Sequence, residues 1–218
     1  MTGATTAIMV LRDPDIRLMV RVRDADDRLA FEELVERFQH RLVGIMHHLV
    51  GNREEAEDLS QEVFLRVYRT RQKYSPSAKF STWLYTIANH LALNSLRDKK
   101  RKPTIPLAVR DSGPLGPRPQ EQLAVDAAAP PGHAIQQSEM AEIIRKALDD
   151  LNDRQKMAVV LNKFEDMGYA EIADVMGLTP KAVKSLLSRA RQRLREVLQP
   201  YVDEDGLPSG NGEDDDDE

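Results

Sequence analysis

Four residues, Gly177-Leu-Thr-Pro180, constrain this chain more than any other stretch. Glycine takes a positive φ at little cost, so Gly177 is suited to end one helix and turn the chain sharply. Two residues on, Thr179 is placed to cap a second helix. Pro180 takes its first position, where a missing N–H is no loss. The flanking periodicity predicts a helix from about Tyr169 to Met176, with Ile172, Ala173 and Met176 inward. A second helix then carries Val183 and Leu187 back against the first. A small residue at 173, glycine at 177 and a β-branched residue at 183 give the spacing of a helix-turn-helix: Ala173 permits a close crossing and Val183 fills the angle. Lys181, Lys184, Ser185, Ser188, Arg189 and Arg191 are left on the outer face or its rim. They offer cations for phosphates, and hydroxyls or forks for base edges. The same pattern also fits a tight helical hairpin with a solvated basic face, a unit that recurs in folds touching no nucleic acid.

The bulk of the chain agrees with a helical, soluble protein. At 218 residues there is room for one or two domains, and 41% hydrophobic with 31% charged residues suits helices. There is no cysteine, so disulfides, thiolate metal sites and cysteine nucleophiles are excluded. No stretch approaches a membrane span, and Met1–Val10 lacks the basic start of a secretory signal; the cytoplasm is the expected location. The net charge of −5 conceals a division: residues 203–218 hold nine acids and no base, which leaves the rest at +4. A mildly basic body with clustered cations fits a nucleic-acid partner.

Taken in order, residues 1–13 read as a frayed lead-in, and helical periodicity starts near Asp15 with Ile16, Met19 and Val20. After the acidic turn Asp24–Asp27 a long helix carries Phe31, Leu34, Val35, Phe38, Leu42, Ile45, Met46 and Leu49 inward; Gly51-Asn52 ends it. The next helix, from Arg53 to about Arg71, has an inward stripe of Ala56, Leu59, Val63 and Val67. On another side Asp58, Gln61, Glu62 and Leu65 fall together, an acidic-polar patch around a leucine that suits a basic partner or an ordinary solvated face. A loop with Pro76 then opens a helix that starts at Phe80, turns Leu84, Ile87, Ala88 and Leu91 inward, and ends in Arg97-Asp-Lys-Lys-Arg-Lys102. Tyr74, Phe80, Trp83 and Tyr85 crowd its start, in a chain with only eleven aromatics. Aromatics beside a basic helix end can hold unstacked bases while cations grip the backbone; they can also be core, with the cations answering the helix dipole. Residues 103–137 hold seven of the twelve prolines and read as a linker. Ser138 is expected to cap a helix with Met140, Ile143, Ile144, Ala147 and Leu148. Asn152-Asp153 then caps another with Met157, Val160, Leu161 and Phe164, which leads into the hairpin; Pro200 stops its second helix.

These segments resemble the extracytoplasmic-function (ECF) group of bacterial sigma-70-type factors, over about 15–102 and again 143–198. Ala56-Glu-Asp-Leu-Ser-Gln-Glu-Val-Phe-Leu-Arg-Val-Tyr68 is similar to the family's polymerase-binding helix, Phe80-Ser-Thr-Trp-Leu-Tyr-Thr-Ile-Ala88 to its promoter-melting segment, and Gly168–Arg191 to its −35 reader. The resemblance implies an all-α chain of two small helical domains: region 2 at 15–102 and region 4 at 138–200. A flexible linker at 103–137 would join them, with a disordered acidic tail at 201–218. It implies core RNA polymerase as a partner of Asp58, Gln61, Glu62 and Leu65. Promoter −10 DNA would meet Tyr74, Lys79, Trp83, His90, Asn94, Arg97, Lys99, Lys100 and Arg101. The −35 duplex would meet Thr179, Lys181, Lys184, Ser185, Ser188, Arg189 and Arg191. It implies no catalytic residue, no metal and no cofactor, since nucleotide transfer belongs to the polymerase, and it allows for an anti-sigma protein as a further partner. Two positions depart from the family: His90 stands where asparagine is common, and Leu186 where arginine is. Those departures put the corresponding base contacts in question. The acidic tail lies outside the shared pattern and either competes with DNA for the basic helices or serves solubility.

Two other readings use the same residues. A conventional regulator would bind duplex operator tightly on its own through the hairpin, and would leave the Asp58 patch and the Trp83 segment idle. A helical-bundle enzyme built on Glu36, His40, His47 and His48 would need ligands recurring on facing helices; Glu36 and His40 share one helix without such a set. Whether the two domains touch when free is not legible in the sequence.

Overall fold

The computed structural model describes residues 13–101 and 143–201. The expected linker, the cap at Ser138 with Met140, and the acidic tail beyond Tyr201 lie outside the described residues. Among the described residues the secondary structure is helical throughout. Helices α1 (Pro14–Ala25), α2 (Arg28–Val50), α3 (Arg53–Arg69) and α4 (Phe80–Arg101) precede α5 (143–149), α6 (Asp153–Phe164), α7 (Tyr169–Met176) and α8 (Pro180–Leu198). Short 3-10 turns stand at Arg71–Lys73 and Gln199–Tyr201.

Side-chain caps set most of the helix starts, because the first backbone N–H groups of a helix have no partner within it. The Asp13 carboxylate accepts from the backbone N–H groups of Asp15 (2.9 Å) and Ile16 (3.2 Å). Asp27 does the same for Ala30 at 3.1 Å, and Asn52 for Glu55 at 2.9 Å. Asn152 and Gln155 form a reciprocal capping box at the head of α6. Thr179 Oγ1 accepts from the Ala182 N–H at 3.2 Å, with Pro180 behind it as expected. Gly51 and Gly177 end α2 and α7 with φ of 73° and 64°. The turn between α1 and α2 needs the same backbone region and fills it with Asp26, at φ 52°. Aspartate tolerates this region better than most side chains do. Replacing Thr179 with alanine leaves the first turn of α8 with an unmet N–H. It is expected to lower stability by about 1 kcal/mol, read as a fall in the urea midpoint, while Thr179→Ser leaves the midpoint near that of the parent.

Helices α1 to α4 make the first bundle, with α2 packed on α1, α3 and α4; α6 to α8 make the second. The first is closed by Met19, Leu34, Leu42, Met46, Val63, Val67, Phe80 and Leu84, all essentially without exposed surface. The second is closed by Met157, Leu161, Ile172, Val183 and Leu187. Each such side chain contributes on the order of 1.5–3 kcal/mol of apolar burial. The two bundles do not stand apart. Helix α2 packs on α6, α4 packs on α7, and the buried residues of both halves run into one continuous core.

Several expectations are corrected here. Ile144, expected on an apolar face, is 41% exposed, whereas Ala147 and Leu148 of α5 are buried. Leu59 is half-buried and packs against the core as expected, but the covered stripe of α3 also takes in Ser60 and Phe64 beside Ala56, Val63 and Val67, with Ser60 Oγ donating to the Ala56 carbonyl at 2.6 Å. In α7, Met176 packs partly buried against the core as expected, but Val175, outside the expected stripe, is as buried as Ile172 and Ala173. A helix with one inward stripe would have left Val175 wet, so α7 is covered on two sides.

Candidate nucleic-acid interface

The hairpin presents the outer face the sequence predicts. Gly177 turns the chain so that α8 crosses α7, with Val183, Leu187 and Ala190 beneath it. Lys181, Lys184, Ser188, Arg189 and Arg191 are exposed on the opposite side, and Ser185 is half-buried at the edge. Arg189 donates to Ser185 Oγ at 3.0 Å, which pins one fork against a hydroxyl on the same face. Arg191 donates to the Tyr169 hydroxyl at 3.1 Å, and this contact draws the Tyr169 pKa below its ordinary value. Thr179 spends its oxygen lone pair on the cap and keeps its O–H as a donor. Leu186 is half-buried beside Leu187. The arrangement supplies positive charge and short donors on one rigid helix, the combination that duplex grooves require.

Helix α4 and the loop before it hold the second set. His90, Asn94, Arg97 and Arg101 are exposed, and Trp83 is half-buried. By helical position Trp83, His90, Asn94, Arg97 and Arg101 share one side of α4. Tyr74 is a correction. It is 3% exposed, its ring lies 5.2 Å from that of Trp83 and 6.4 Å from that of Phe80, and it belongs to the core. Burial pushes its phenol pKa well up. Phe80 and Tyr85 are also fully covered, which leaves Trp83 as the accessible ring of the four. The cations at the end of α4 are not equivalent either. Lys99 is held by Glu55 of α3, which also accepts from Ser95 at 2.6 Å; Lys100 pairs with Asp153 of α6 at 2.7 Å.

The third feature is on α3. Asp58, Gln61 and Leu65 are exposed, Leu65 at 49%, while Glu62 is half-buried and accepts from Arg66 Nε at 2.9 Å. An apolar side chain is thus ringed by acid and amide groups on the side of the helix away from its buried stripe, an arrangement without cations for DNA phosphates.

The acids that face α4 from the second half gave no sequence signal. Lys79 pairs with Glu171 of α7 at 2.7 Å, and Glu171 also accepts from the Gly168 N–H at 3.0 Å. The two contacts, Lys79 first, hold the Glu171 carboxyl below the usual range. Glu165 accepts from the Tyr85 hydroxyl and lies 3.4 Å from Arg41. The one available hint was Val175, an apolar residue one turn beyond Glu171 and off the expected stripe.

Of the histidines considered as ligands, His47 and His48 are half-buried and packed, and His40 is exposed. The His48 ring lies 4.2 Å from that of Phe164. Burial, followed by the neighbouring His47 and Lys156, depresses the His48 pKa; burial, followed by Arg145 and Arg53, depresses that of His47. The folded state therefore favours the neutral rings. Their contribution to stability is whole above the ordinary value of about 6.5 and is lost as pH falls below it. The urea midpoint is expected to fall between pH 7.5 and 5.5, and the fall should shrink in His48→Gln. A midpoint flat across that range would contradict this.

Comparison with known proteins agrees with this geometry. The Sigma-70 region 2 family model matches residues 34–102, and the Sigma-70, region 4 model matches 141–194. The chain thus belongs to the sigma-70-type RNA polymerase sigma factors, in the ECF subfamily. The RNA polymerase sigma-H factor of Pseudomonas aeruginosa is 30% identical over 196 residues, covering 90% of this chain and 100% of the relative. The ECF RNA polymerase sigma factor SigW of Bacillus subtilis is 30% identical over 173 residues, 79% of this chain and 91% of that one. Among solved structures, CnrH in complex with the cytosolic domain of CnrY shares the fold with a TM-score of 0.62 at 23% identity, covering 86% of this chain and 99% of that one. RpoE in complex with the anti-sigma factor NepR, from Bartonella quintana, does so with a TM-score of 0.58 at 22% identity, over 78% and 96%.

Proposed function

We propose that this chain joins core RNA polymerase through α3 and directs it to promoters through α4 and α8. Residues 15–102 act as the polymerase-binding and −10 half, residues 138–200 as the −35 half, and 103–137 as the join between them. The observation that carries the proposal is the open Asp58-Gln61-Leu65 patch on a chain that also carries a basic reading helix. A regulator working alone has no use for that patch.

In this scheme Asp58, Gln61, Glu62 and Leu65 grip the polymerase. Trp83 offers its exposed edge to a base unstacked from the non-template strand of the −10 element. His90, Asn94 and Arg97 lie along the same side of α4. Lys79, Lys99, Lys100 and Arg101 serve the phosphates, and Tyr74 supports Trp83 from the core. Unstacking a base costs a few kcal/mol, which polymerase contacts must offset, so melting is not expected of the free chain. Thr179, Lys181, Lys184, Ser185, Ser188, Arg189 and Arg191 meet the −35 duplex. The chain carries no chemistry of its own; nucleotide transfer is the polymerase's. An anti-sigma protein is a further partner, in keeping with the complex in which RpoE of Bartonella quintana was solved. Among the described residues no helix is long and apolar enough to cross a membrane, and we place the protein with the polymerase in the cytoplasm.

The test is binding to promoter fragments with and without core polymerase. A sigma factor retains the fragments only when core is present. Tight duplex binding by the protein alone, unchanged by core, would favour the operator-binding regulator instead.

A further inference from the structure

Tyr74 stands in the segment that leads into α4, and three contacts fix it. Its ring lies 5.2 Å from that of Trp83, and its hydroxyl donates across the loop to the Ala78 carbonyl at 3.4 Å. The third contact comes from outside the segment. Tyr74 leaves the 3-10 turn in extended backbone, φ −67° and ψ 127°, so its carbonyl has no following helical N–H to meet it. Arg23, in the last turn of α1, donates Nη1 to that carbonyl at 3.1 Å.

Asp24 takes the other edge of the same guanidinium, Nε at 2.6 Å and Nη2 at 3.1 Å, which leaves Nη1 aimed at the loop. Neighbouring ties run the same way, and α1 packs on the 3-10 turn. Gln72 Nε2 donates to the Arg23 carbonyl at 2.6 Å. Asp26 accepts from the Tyr68 hydroxyl at 2.7 Å and lies 3.0 Å from Arg71 Nη2. None of residues 75–79 is buried, so the course of that loop is set at its ends. Arg23 itself is poorly placed to meet DNA: its side chain is 24% exposed, and each of its three nitrogens is engaged.

We propose that Arg23 is a positioning residue for −10 recognition. Acting through Tyr74, it fixes the mouth of the loop 75–79 and the angle at which the Trp83 edge meets an unstacked base. Helix α1 thereby sets how sharply the −10 base is read without itself contacting the strand. Losing the Arg23 contact frees the Tyr74 backbone, and the ring that backs Trp83 moves with it. The inference rests on the proposed −10 role of Trp83.

Trp83 is the chain's single tryptophan, so its fluorescence in the free full-length protein reports the tether directly. Arg23→Ala is expected to shift its emission to the red and to raise its quenching by acrylamide. The DNA probe is a duplex with a pre-melted −10 segment, randomised on the non-template strand, retained by the protein with core polymerase and then sequenced. In the parent, the favoured base at the most selective position is expected to exceed the others by about tenfold, an ordinary single-base discrimination. In Arg23→Ala that preference is expected to be largely lost. Arg23→Lys, whose ammonium has three donors to share between Asp24 and the carbonyl, is expected to recover most of both signals. Gln72→Ala, an exposed change that spares the core, should move both in the same direction by less; it takes the place of Arg23→Ala if the urea midpoint shows that variant unfolded. The slope of affinity against log salt is expected to hold in Arg23→Ala. A slope reduced by about one would make Arg23 a phosphate contact and overturn its positioning role. Unchanged Trp83 fluorescence in both variants would overturn the tether, and a released Trp83 with base preference intact would overturn its link to recognition. Failure of the −10 reading has a different signature: Trp83→Ala itself leaves the base preference as it is in the parent.

Discussion

Phe80→Ala is expected to lower the stability of the first bundle by about 3–5 kcal/mol, the range for emptying a buried aromatic site. Phe80 has no exposed surface and stands where three other rings converge. Its centroid lies 5.2 Å from that of Phe38, 6.4 Å from that of Tyr74 and 6.4 Å from that of Trp83. Alanine leaves a void bounded by rings that cannot collapse far, since α2 and the loop before α4 are each held by caps and hydrogen bonds. A single domain has only about 5–15 kcal/mol to lose, so a large share of the folding free energy goes with this one side chain. The urea midpoint should fall steeply. Promoter melting should fall with it, because Trp83 is oriented by the same cluster. Phe80→Leu, which refills most of the volume, is expected to recover the greater part of both.

Asp58→Arg is expected to cut affinity for core polymerase by at least about tenfold while leaving the urea midpoint unchanged. The carboxylate is exposed on α3 and forms no ion pair among the described residues. Folding therefore gains nothing from it. If it meets a cation on the polymerase, reversal replaces an attraction by a repulsion at a desolvated contact, where truncation alone costs about 2–5 kcal/mol. Leu65→Asp on the same patch should act in the same direction, since it puts a charge where an apolar side chain is 49% exposed. The separation of the two readouts carries the argument: polymerase binding is lost and the midpoint is kept. A polymerase pull-down together with urea denaturation provides both. Equal binding by Asp58→Arg and the parent would mean that α3 is an ordinary solvated face.

The parts of the fold that were legible in the sequence are those fixed by neighbours a few residues apart. Gly177, Thr179 and Pro180 specify their turn by their own backbone preferences, and Asn152 specifies the start of α6. Val183 and Leu187 follow from a period of three and four. What escaped depends on residues far apart in the chain. Lys79 meets Glu171 ninety-two positions away, and Lys100 meets Asp153 fifty-three away. In the sequence Lys79 and Lys100 read as cations for DNA and Asp153 as part of a helix cap, and Glu171 carries no signal. Periodicity says that a residue is covered but not by what. That is why Tyr74 looked like a ring for DNA and proved to be core, and why Val175 was left outside. The same limit made Ile144 look buried, although it is 41% exposed. Asp26 and Asp166 hold positive φ, at 52° and 51°, in turns that glycine would have announced. The candidate DNA faces were easier to find, because exposed cations on an amphipathic helix need no distant partner to be recognised.

The central claim is that this chain gives core polymerase its choice of promoter. The most direct measurement is mapping of RNA 5′ ends made by purified core polymerase on a genomic DNA library, with and without the protein. Discrete new start sites that share sequence blocks near −10 and −35, and that weaken together in Arg189→Ala, are the expected result. The same start sites with and without the protein, from an active core and a folded chain, would contradict it.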